Sequence, residues 1–293
     1  MYCKLLSHTH LSHISSASGV EFFEEKLYIM GDDIATLFVC DVKGNPLEKI
    51  QLFDTEHLNR IPKKQKPDFE AMAIVEKEGE LYLALAGSGS KNIYRDKLLL
   101  VKLQGQNKHK VLRRSLVNFY DMLRDLPEIK ELNIEGLVEI NGLHIFFQRG
   151  GVFQDNYVII SDLFEDVASF NLFDLATPSI EGIKTGISGA AYHAETDSLW
   201  LCASAEDTSN AIDDGEIKGS CIAVMYDFHA KKANEHFVID EYWIPSFLKG
   251  QKIESLALKK VVENQRFQFF AVADNDNGTS ELFELEIEIS GEK

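Results

Sequence analysis

A single motif recurs five times along this chain of 293 residues. Each copy opens with a small or acidic residue followed by apolar ones, and two further apolar runs follow, the first of which ends in a polar cluster. Runs of about four to eight β-branched and aromatic residues between turn residues are typical of β-strands. The five opening segments are Ser18-Gly19-Val20, Glu70-Ala71-Met72, Glu135-Gly136-Leu137, Ser188-Gly189-Ala190 and Glu254-Ser255-Leu256.

The repeat constrains the fold class. A fourth, more polar strand fits between successive units, as in residues 47–53 and 235–239. Four strands repeated about every 50 to 65 residues are typical of a propeller blade. The sequence therefore predicts an all-β fold, a five-bladed β-propeller of four-stranded antiparallel blades that forms a single domain over residues 1–293. The fifth unit lacks an outer strand, which residues 4–11 can supply to close the ring; six blades, one of them diverged, are the alternative.

Two segments depart from the strand pattern. Residues 116–126 carry apolar side chains at helical spacing and end before Pro127, which predicts a short helix on the rim. Residues 206–220 form a long insertion in the fourth unit. Long loops without regular structure are often functional, so this insertion predicts a lid or ligand loop.

The formal net charge of −17 bears on possible partners. An acidic chain repels nucleic acid and anionic membrane surfaces, which leaves a small polar ligand or a protein as the expected partner. The short basic run at residues 59–66 is interpreted as a solvated loop. The N-terminus has no long apolar segment, which predicts a cytoplasmic protein, or a secreted one if a signal peptide has been removed.

The polar positions of the repeat predict a site. In a propeller, the first strand of each blade lines the central channel, and the turn between the second and third strands opens on the same face. The repeated positions are therefore expected to converge at one acidic mouth, with Asp276 in its Asp-rich turn. The predicted ligand-binding residues are Ser18, Asp32, Asp33, Arg149, Ser188, Glu206 and Asp207.

Three glutamates around one axis repel each other unless a cation lies between them. Arg149 is one candidate, and Ca²⁺ or another divalent cation with carboxylate and amide ligands is the second. The alternative is that these polar side chains only hydrogen-bond strand ends and channel water. The predicted metal ligands are Glu70, Glu135, Glu254, Asp274 and Asn275.

Three short motifs carry a family resemblance: residues 68–73 (Asp-Phe-Glu-Ala-Met-Ala), 134–137 (Ile-Glu-Gly-Leu) and 188–192 (Ser-Gly-Ala-Ala-Tyr). With the Asp-rich turns, they make the chain resemble the phytase-type, esterase-like propellers and their bacterial relatives of unknown function. It is more distantly similar to gluconolactonase-like propellers, a likeness that implies an axial metal bound by Glu, Asn and Asp. The order of the candidate ligands and the count of five units both depart from those families.

Two functions therefore stay open at this point. The first is a non-catalytic propeller that binds a small polar ligand or a partner at its acidic mouth. The second is a metal-dependent hydrolase of an ester, lactone or phosphoester, with a carboxylate as general base and the ion as Lewis acid. The fold cannot decide between them, because propellers support both kinds of function.

Overall fold

The computed structural model confirms the five-bladed propeller of four-stranded antiparallel blades. Within the described part of the chain, the sheets of four strands number five, which agrees with the expected blade count and not with the alternative of six. The structure describes residues 2–57, 59–90, 94–106, 108–162, 164, 169–208, 215–263, 265–275 and 277–290.

The strands follow the order of the repeat. The chain begins with β1 (Tyr2–Leu11). Blade 1 comprises β2 (Ala17–Phe23), β3 (Lys26–Gly31), β4 (Thr36–Cys40) and β5 (Pro46–Gln51). Blade 2 comprises β6 (Phe69–Lys77), β7 (Glu80–Gly87), β8 (Lys97–Lys102) and β9 (Val111–Ser115). Blade 3 comprises β10 (Ile134–Ile140), β11 (Leu143–Gln148), β12 (Asn156–Ser161) and β13 (Phe170–Leu175).

The second half of the chain adds a small hairpin of β14 (Ser179–Ile180) and β15 (Ile183–Lys184). Blade 4 comprises β16 (Gly186–His193), β17 (Ser198–Asp207), β18 (Glu216–Met225) and β19 (Glu241–Trp243). Blade 5 comprises β20 (Lys252–Glu263), β21 (Arg266–Asp274), β22 (Ser280–Glu288) and the N-terminal β1.

The N-terminal strand closes the ring as predicted. Strand β1 pairs antiparallel with β22, from Tyr2 opposite Glu288 to Leu11 opposite Ser280. The last blade is thus completed by the first strand of the chain. This arrangement covers the edge of β22 and links the two ends of the polypeptide.

The apolar core is divided among the interfaces between neighbouring blades. Alternate residues of one strand serve two interfaces, because successive side chains of a strand point to opposite faces. On β7, Leu83 and Leu85 pack against blade 1, whereas Ala84 and Ala86 pack against blade 3. Both faces of each inner strand are therefore buried, which explains why these strands appear in the sequence as continuous apolar runs.

The predicted rim helix is present as α1 (Val117–Arg124), which buries Phe119, Tyr120 and Leu123. A second helix, α2 (Phe228–Ala233), and a 3-10 turn (Ser246–Leu248) precede and follow β19. The strand predicted at 235–239 is wrong, since the outer strand of blade 4 is the shorter β19. No helix in the described residues has the length and hydropathy to span a membrane.

Candidate functional site

Each of the five repeated polar residues lies at a β-bulge. The pairing of the first strand with the second skips one residue in every blade, and a bulge of this kind redirects the side chain of the extra residue. Bulges of this type recur next to functional sites. The skipped residues are Ser18, Glu70, Glu135, Ser188 and Glu254.

The two serines at these bulges hydrogen-bond the next blade. Ser18 Oγ donates to the carbonyl of Phe69 at 2.6 Å, and Ser188 Oγ donates to the carbonyl of Ile253 at 2.5 Å. Each acceptor residue immediately precedes the bulge glutamate of the following blade. The serines therefore fix the position of Glu70 and Glu254, and Ser188 itself lies away from the cavity.

Four of the five bulges open into a cavity of about 430 Å³, and the blades that carry them are the four that contribute side chains to it. Seven of the predicted site residues line it, so the convergence of Glu70, Glu135 and Glu254 at one cavity is as expected. The seven are Ser18, Asp32, Asp33, Glu70, Glu135, Glu254 and Asp274.

The other predicted residues lie elsewhere. Arg149 and Glu206 stand behind the cavity wall, where Arg149 donates to Glu135 at 2.5 Å and to Glu206 at 3.3 Å. Asn275 donates to Thr279 in its own turn and to Glu281 on β22. Asp207 is exposed at the end of β17, and Asp276 lies outside the described residues.

Most of the described residues of the long insertion in the fourth unit belong to strands β17 and β18. Asp207 pairs with Glu216, and the hairpin of β17 and β18 continues from there into the blade. The prediction of a lid over 206–220 is therefore wrong for residues 206–207 and 216–220. Residues 209–214, the tip of the insertion, lie outside the described part of the chain.

The basic run at 59–66 is a largely exposed loop, as the sequence predicted, but three of its four basic side chains also line the cavity. Arg60 Nε lies 2.5 Å from Asp33 Oδ2, and Lys66 Nζ contacts both Asp32 and Asp68. The mouth is thus mixed in charge rather than simply acidic. Its basic residues are Arg60, Lys63, Lys66, Arg95 and Lys252.

One sequence signal could have identified several of the missed residues. The residue two positions before each bulge shares the direction of the bulge side chain, since side chains alternate along an extended chain. In four blades this residue lines the cavity: Ser16, Asp68, Asn133 and Lys252. Arg95 and Lys66 follow no such period, because they come from connections between strands.

Asp68 is the centre of one group of charges. Its carboxylate lies 2.6 Å from Lys66 and 2.5 Å from Arg95, and it also accepts a hydrogen bond from Ser88. Burial favours the neutral acid, but Lys66 and Arg95 prevail and lower the pKa of Asp68. Its φ of 54° places it in the left-handed region, which is uncommon outside glycine and often marks a functional site.

Glu135 and Glu254 are also compensated. Glu135 accepts hydrogen bonds from Asn133 at 2.6 Å and from Arg149 at 2.5 Å. Glu254 lies 3.2 Å from Lys252. Burial nevertheless raises the pKa of Glu254 to about 7, with Lys252 opposing the shift and Glu135 adding to it.

Glu70 differs from the other two glutamates. No hydrogen bond or ion pair to its carboxyl group is found among the described residues, although the group lies in the cavity. Burial raises its pKa well above the ordinary value, and the nearby carboxylates of Asp68, Asp32 and Glu135 add to the shift. Glu70 is therefore the group best placed to exchange a proton or to accept a cation.

The chain belongs to a family of unknown function, DUF6929, whose sequence model matches residues 13–287. None of the curated proteins matches the chain at a significant level. The propeller fold is shared with solved structures. The glutaminyl cyclase of Myxococcus xanthus is 12% identical with a TM-score of 0.55, over 98% of this chain and 97% of that chain.

Two further solved structures are less similar in geometry. The arabinanase Arb43A of Bacillus subtilis is 11% identical with a TM-score of 0.45, over 94% of this chain and 95% of that chain. A putative exported protein of Bacteroides fragilis is 10% identical with a TM-score of 0.41, over 98% and 96%. At these sequence identities, structural similarity shows the fold alone, and function has to be argued from the site.

Proposed function

We propose that this DUF6929 protein binds a small, highly polar molecule in the axial cavity. The observation that carries the proposal is the composition of the cavity wall. Seven carboxyl groups and five basic groups line a volume of about 430 Å³, with Ala17, Ile61 and Pro62 as the apolar lining among the described residues. Ligand pockets commonly have this size, but most are largely apolar, so this wall selects for charge and hydrogen-bonding capacity.

The wall is organised in advance of binding. Asp68 is held by Lys66 and Arg95, and Glu135 is held by Asn133 and Arg149. Side chains fixed in this way lose little conformational freedom when a ligand arrives, which lowers the cost of binding. Pairing also prevents mutual repulsion among the carboxylates.

The proposed partner is a small molecule and not a nucleic acid or a membrane surface. The cavity accommodates a small ligand, and the net charge of −17 disfavours polyanionic partners. We also propose a cytoplasmic location. The four cysteines, Cys3, Cys40, Cys202 and Cys221, are free and buried, which suits a reducing compartment.

A thermal-shift screen of amino acids, sugars, amino sugars and hydroxy acids tests this proposal. We expect at least one class to raise the melting temperature of the wild-type protein. Lys63→Glu reverses a charge on the cavity wall and is expected to weaken binding about tenfold or more, equivalent to at least ~1.4 kcal/mol. Lys64→Glu is the matched control, since Lys64 is an exposed neighbour outside the lining.

The proposal fails if no class of compound stabilises the wild-type protein. It also fails if compounds bind with equal affinity to the wild-type protein and to both lysine variants, because the binding would then lie outside the cavity.

A metal-dependent hydrolase is the second candidate. It is favoured by the likeness of the repeat motifs to phytase-type and gluconolactonase-like propellers. It is also favoured by ligand atoms of Asp32, Asp68 and Glu70 that lie within 4.8 Å of one another. Glu70 and Asp32 would then be ligands of Ca²⁺ or another divalent ion, with Glu135, Glu254 or Asp274 nearby. A rise in melting temperature with Ca²⁺ that Glu70→Gln abolishes would support this candidate.

A further inference from the structure

We propose that Glu70, together with Asp32 and Asp68, forms a subsite for the ammonium group of the ligand. This inference rests on the proposed function, since it names the chemical class of the molecule that the cavity binds. The ligand is then a small primary amine that also carries hydroxyl or carboxylate groups.

The geometry of the subsite comes from the connection between β3 and β6 and from the bulge of β6. Asp32 follows β3, Asp68 precedes β6 and Glu70 stands at the bulge of β6. Carboxylate oxygens of the three residues lie within 4.8 Å of one another. A group that enters the cavity at this point can therefore contact all three.

The hydrogen bonds of the subsite are incomplete. Lys66 contacts one oxygen of Asp32, whereas the other, Oδ1, is buried and has no hydrogen-bond partner among the described residues. The carboxyl group of Glu70 likewise has no partner among those residues. A buried acceptor without a donor destabilises the free protein, so a ligand that brings an N–H donor to Asp32 Oδ1 would remove this cost.

The charges of the subsite favour a singly charged cation. Asp32, Asp68 and Glu70 carry up to three negative charges, and Lys66 and Arg95 supply two positive ones. One further positive charge neutralises the group. An ammonium group provides that charge together with three donors, which matches Glu70 and the free oxygen of Asp32.

A divalent metal fits this group less well. Calcium binds oxygen at about 2.3–2.6 Å. Lys66 Nζ already lies 2.6 Å from Asp68 Oδ1 and also contacts Asp32, so a metal bound to these carboxylates would have to displace Lys66. If Lys66 instead remained in place, the ion, Lys66 and Arg95 would exceed the charge of the three carboxylates by one.

The electrostatic surroundings of Glu70 agree with this placement. The charged groups that act on Glu70 are Asp68, Asp32, Lys66 and, from β10, Glu135. Burial and the three carboxylates raise the pKa of Glu70, and Lys66 opposes the shift. A cation beside Glu70 would favour its ionised form.

The other lining groups define the rest of the ligand. Ser90 and Asn133 offer hydrogen-bonding side chains, and Lys63 supplies a positive charge near the entrance. Hydroxyl or carboxylate groups suit these partners. An amino sugar or an amino acid combines them with a primary amine within a volume of this size.

The test uses four pairs of probes that differ in one amine: glucosamine and glucose, glycine and glycolate, 4-aminobutyrate and 4-hydroxybutyrate, ethanolamine and ethylene glycol. Binding to the wild-type protein, to Glu70→Gln and to Glu76→Gln is followed by thermal shift and calorimetry. Glu76 is the matched control because it lies exposed on the same strand, outside the cavity.

We expect the amine of at least one pair to bind and its hydroxyl analogue to bind more weakly. Glu70→Gln is expected to reduce amine affinity about 10- to 100-fold, as for a lost hydrogen bond to a charged group, and Glu76→Gln to leave it unchanged.

Three results would overturn the inference. If amines and analogues bind equally, and equally to Glu70→Gln, the cavity binds a ligand but not through this subsite. If Ca²⁺ stabilises the wild-type protein in a Glu70-dependent manner, the subsite holds a metal. If none of the probes binds and the wider screen is also negative, the proposed function fails with the inference.

Discussion

Glu70, Glu135 and Glu254 occupy the same backbone position in three blades, yet their electrostatic surroundings differ. Arg149 and Asn133 compensate Glu135 and Lys252 compensates Glu254, whereas the carboxyl group of Glu70 forms no hydrogen bond or ion pair among the described residues. The repeat thus fixes where the carboxyl groups stand, while the connections determine the charge that each one meets. Three residues that look alike in the sequence therefore have different electrostatic environments in the structure.

Glu254 provides a pH-dependent prediction. Burial raises its pKa to about 7 from 4.5, so between these values the folded protein holds a proton that the unfolded chain loses. Stability should therefore fall as pH rises through this window. Glu254→Gln should remove this contribution. Between about pH 4.5 and about pH 8, the unfolding free energy of the variant should therefore rise relative to that of the wild-type protein, by at most about 3 kcal/mol.

Urea denaturation of both proteins at about pH 5 and about pH 8 checks this expectation, with the exposed Glu76→Gln as control. Parallel pH dependence of wild type and Glu254→Gln would show that the carboxyl group titrates normally in the fold.

The sequence identified the bulge residues because they recur with the blade, but it could not identify their counter-charges. Lys66 belongs to a short basic run that resembles many solvated loops, and Arg95 lies in a turn without repeat. Both reach the cavity only because of the path taken by a connection. The path of a connection depends on contacts between residues that are distant in the chain, and it leaves no periodic pattern in the sequence.

At the scale of elements, β1 carries the closure of the propeller. Its inward residue Leu11 is fully buried and belongs to the core between blades 5 and 1, together with Phe38 and Leu282. Leu6, on the same strand, is 37% exposed. The sequence predicted β1, because the fifth unit lacks an outer strand and the N-terminus offers one. The sequence did not predict the outer strand of blade 4, because β19 is short and follows a helix.

Leu11→Ala should cost about 2–4 kcal/mol of unfolding free energy, because it leaves a cavity in a closed core. Leu6→Ala on the same strand should cost less than about 1 kcal/mol, since its side chain is partly in solvent. Urea denaturation at one pH measures both values. Equal losses for the two variants would contradict the role of β1 as a packed strand of blade 5.

At the scale of the whole molecule, five blades enclose a cavity that no blade could form alone. Four blades contribute to its wall, and blade 4 acts through Glu206, which Arg149 links to Glu135. The expected mouth was acidic, in keeping with the net charge of −17, but the structure pairs most of its carboxylates with basic side chains. A cavity of mixed charge follows from the closed ring.

A crystal structure with the amine probe that stabilises the protein most tests the central claim most directly. The account predicts that the probe lies in the axial cavity, with its nitrogen about 3 Å from the Glu70 carboxyl group. A probe bound elsewhere on the molecule, with the cavity filled only by water, would contradict the account.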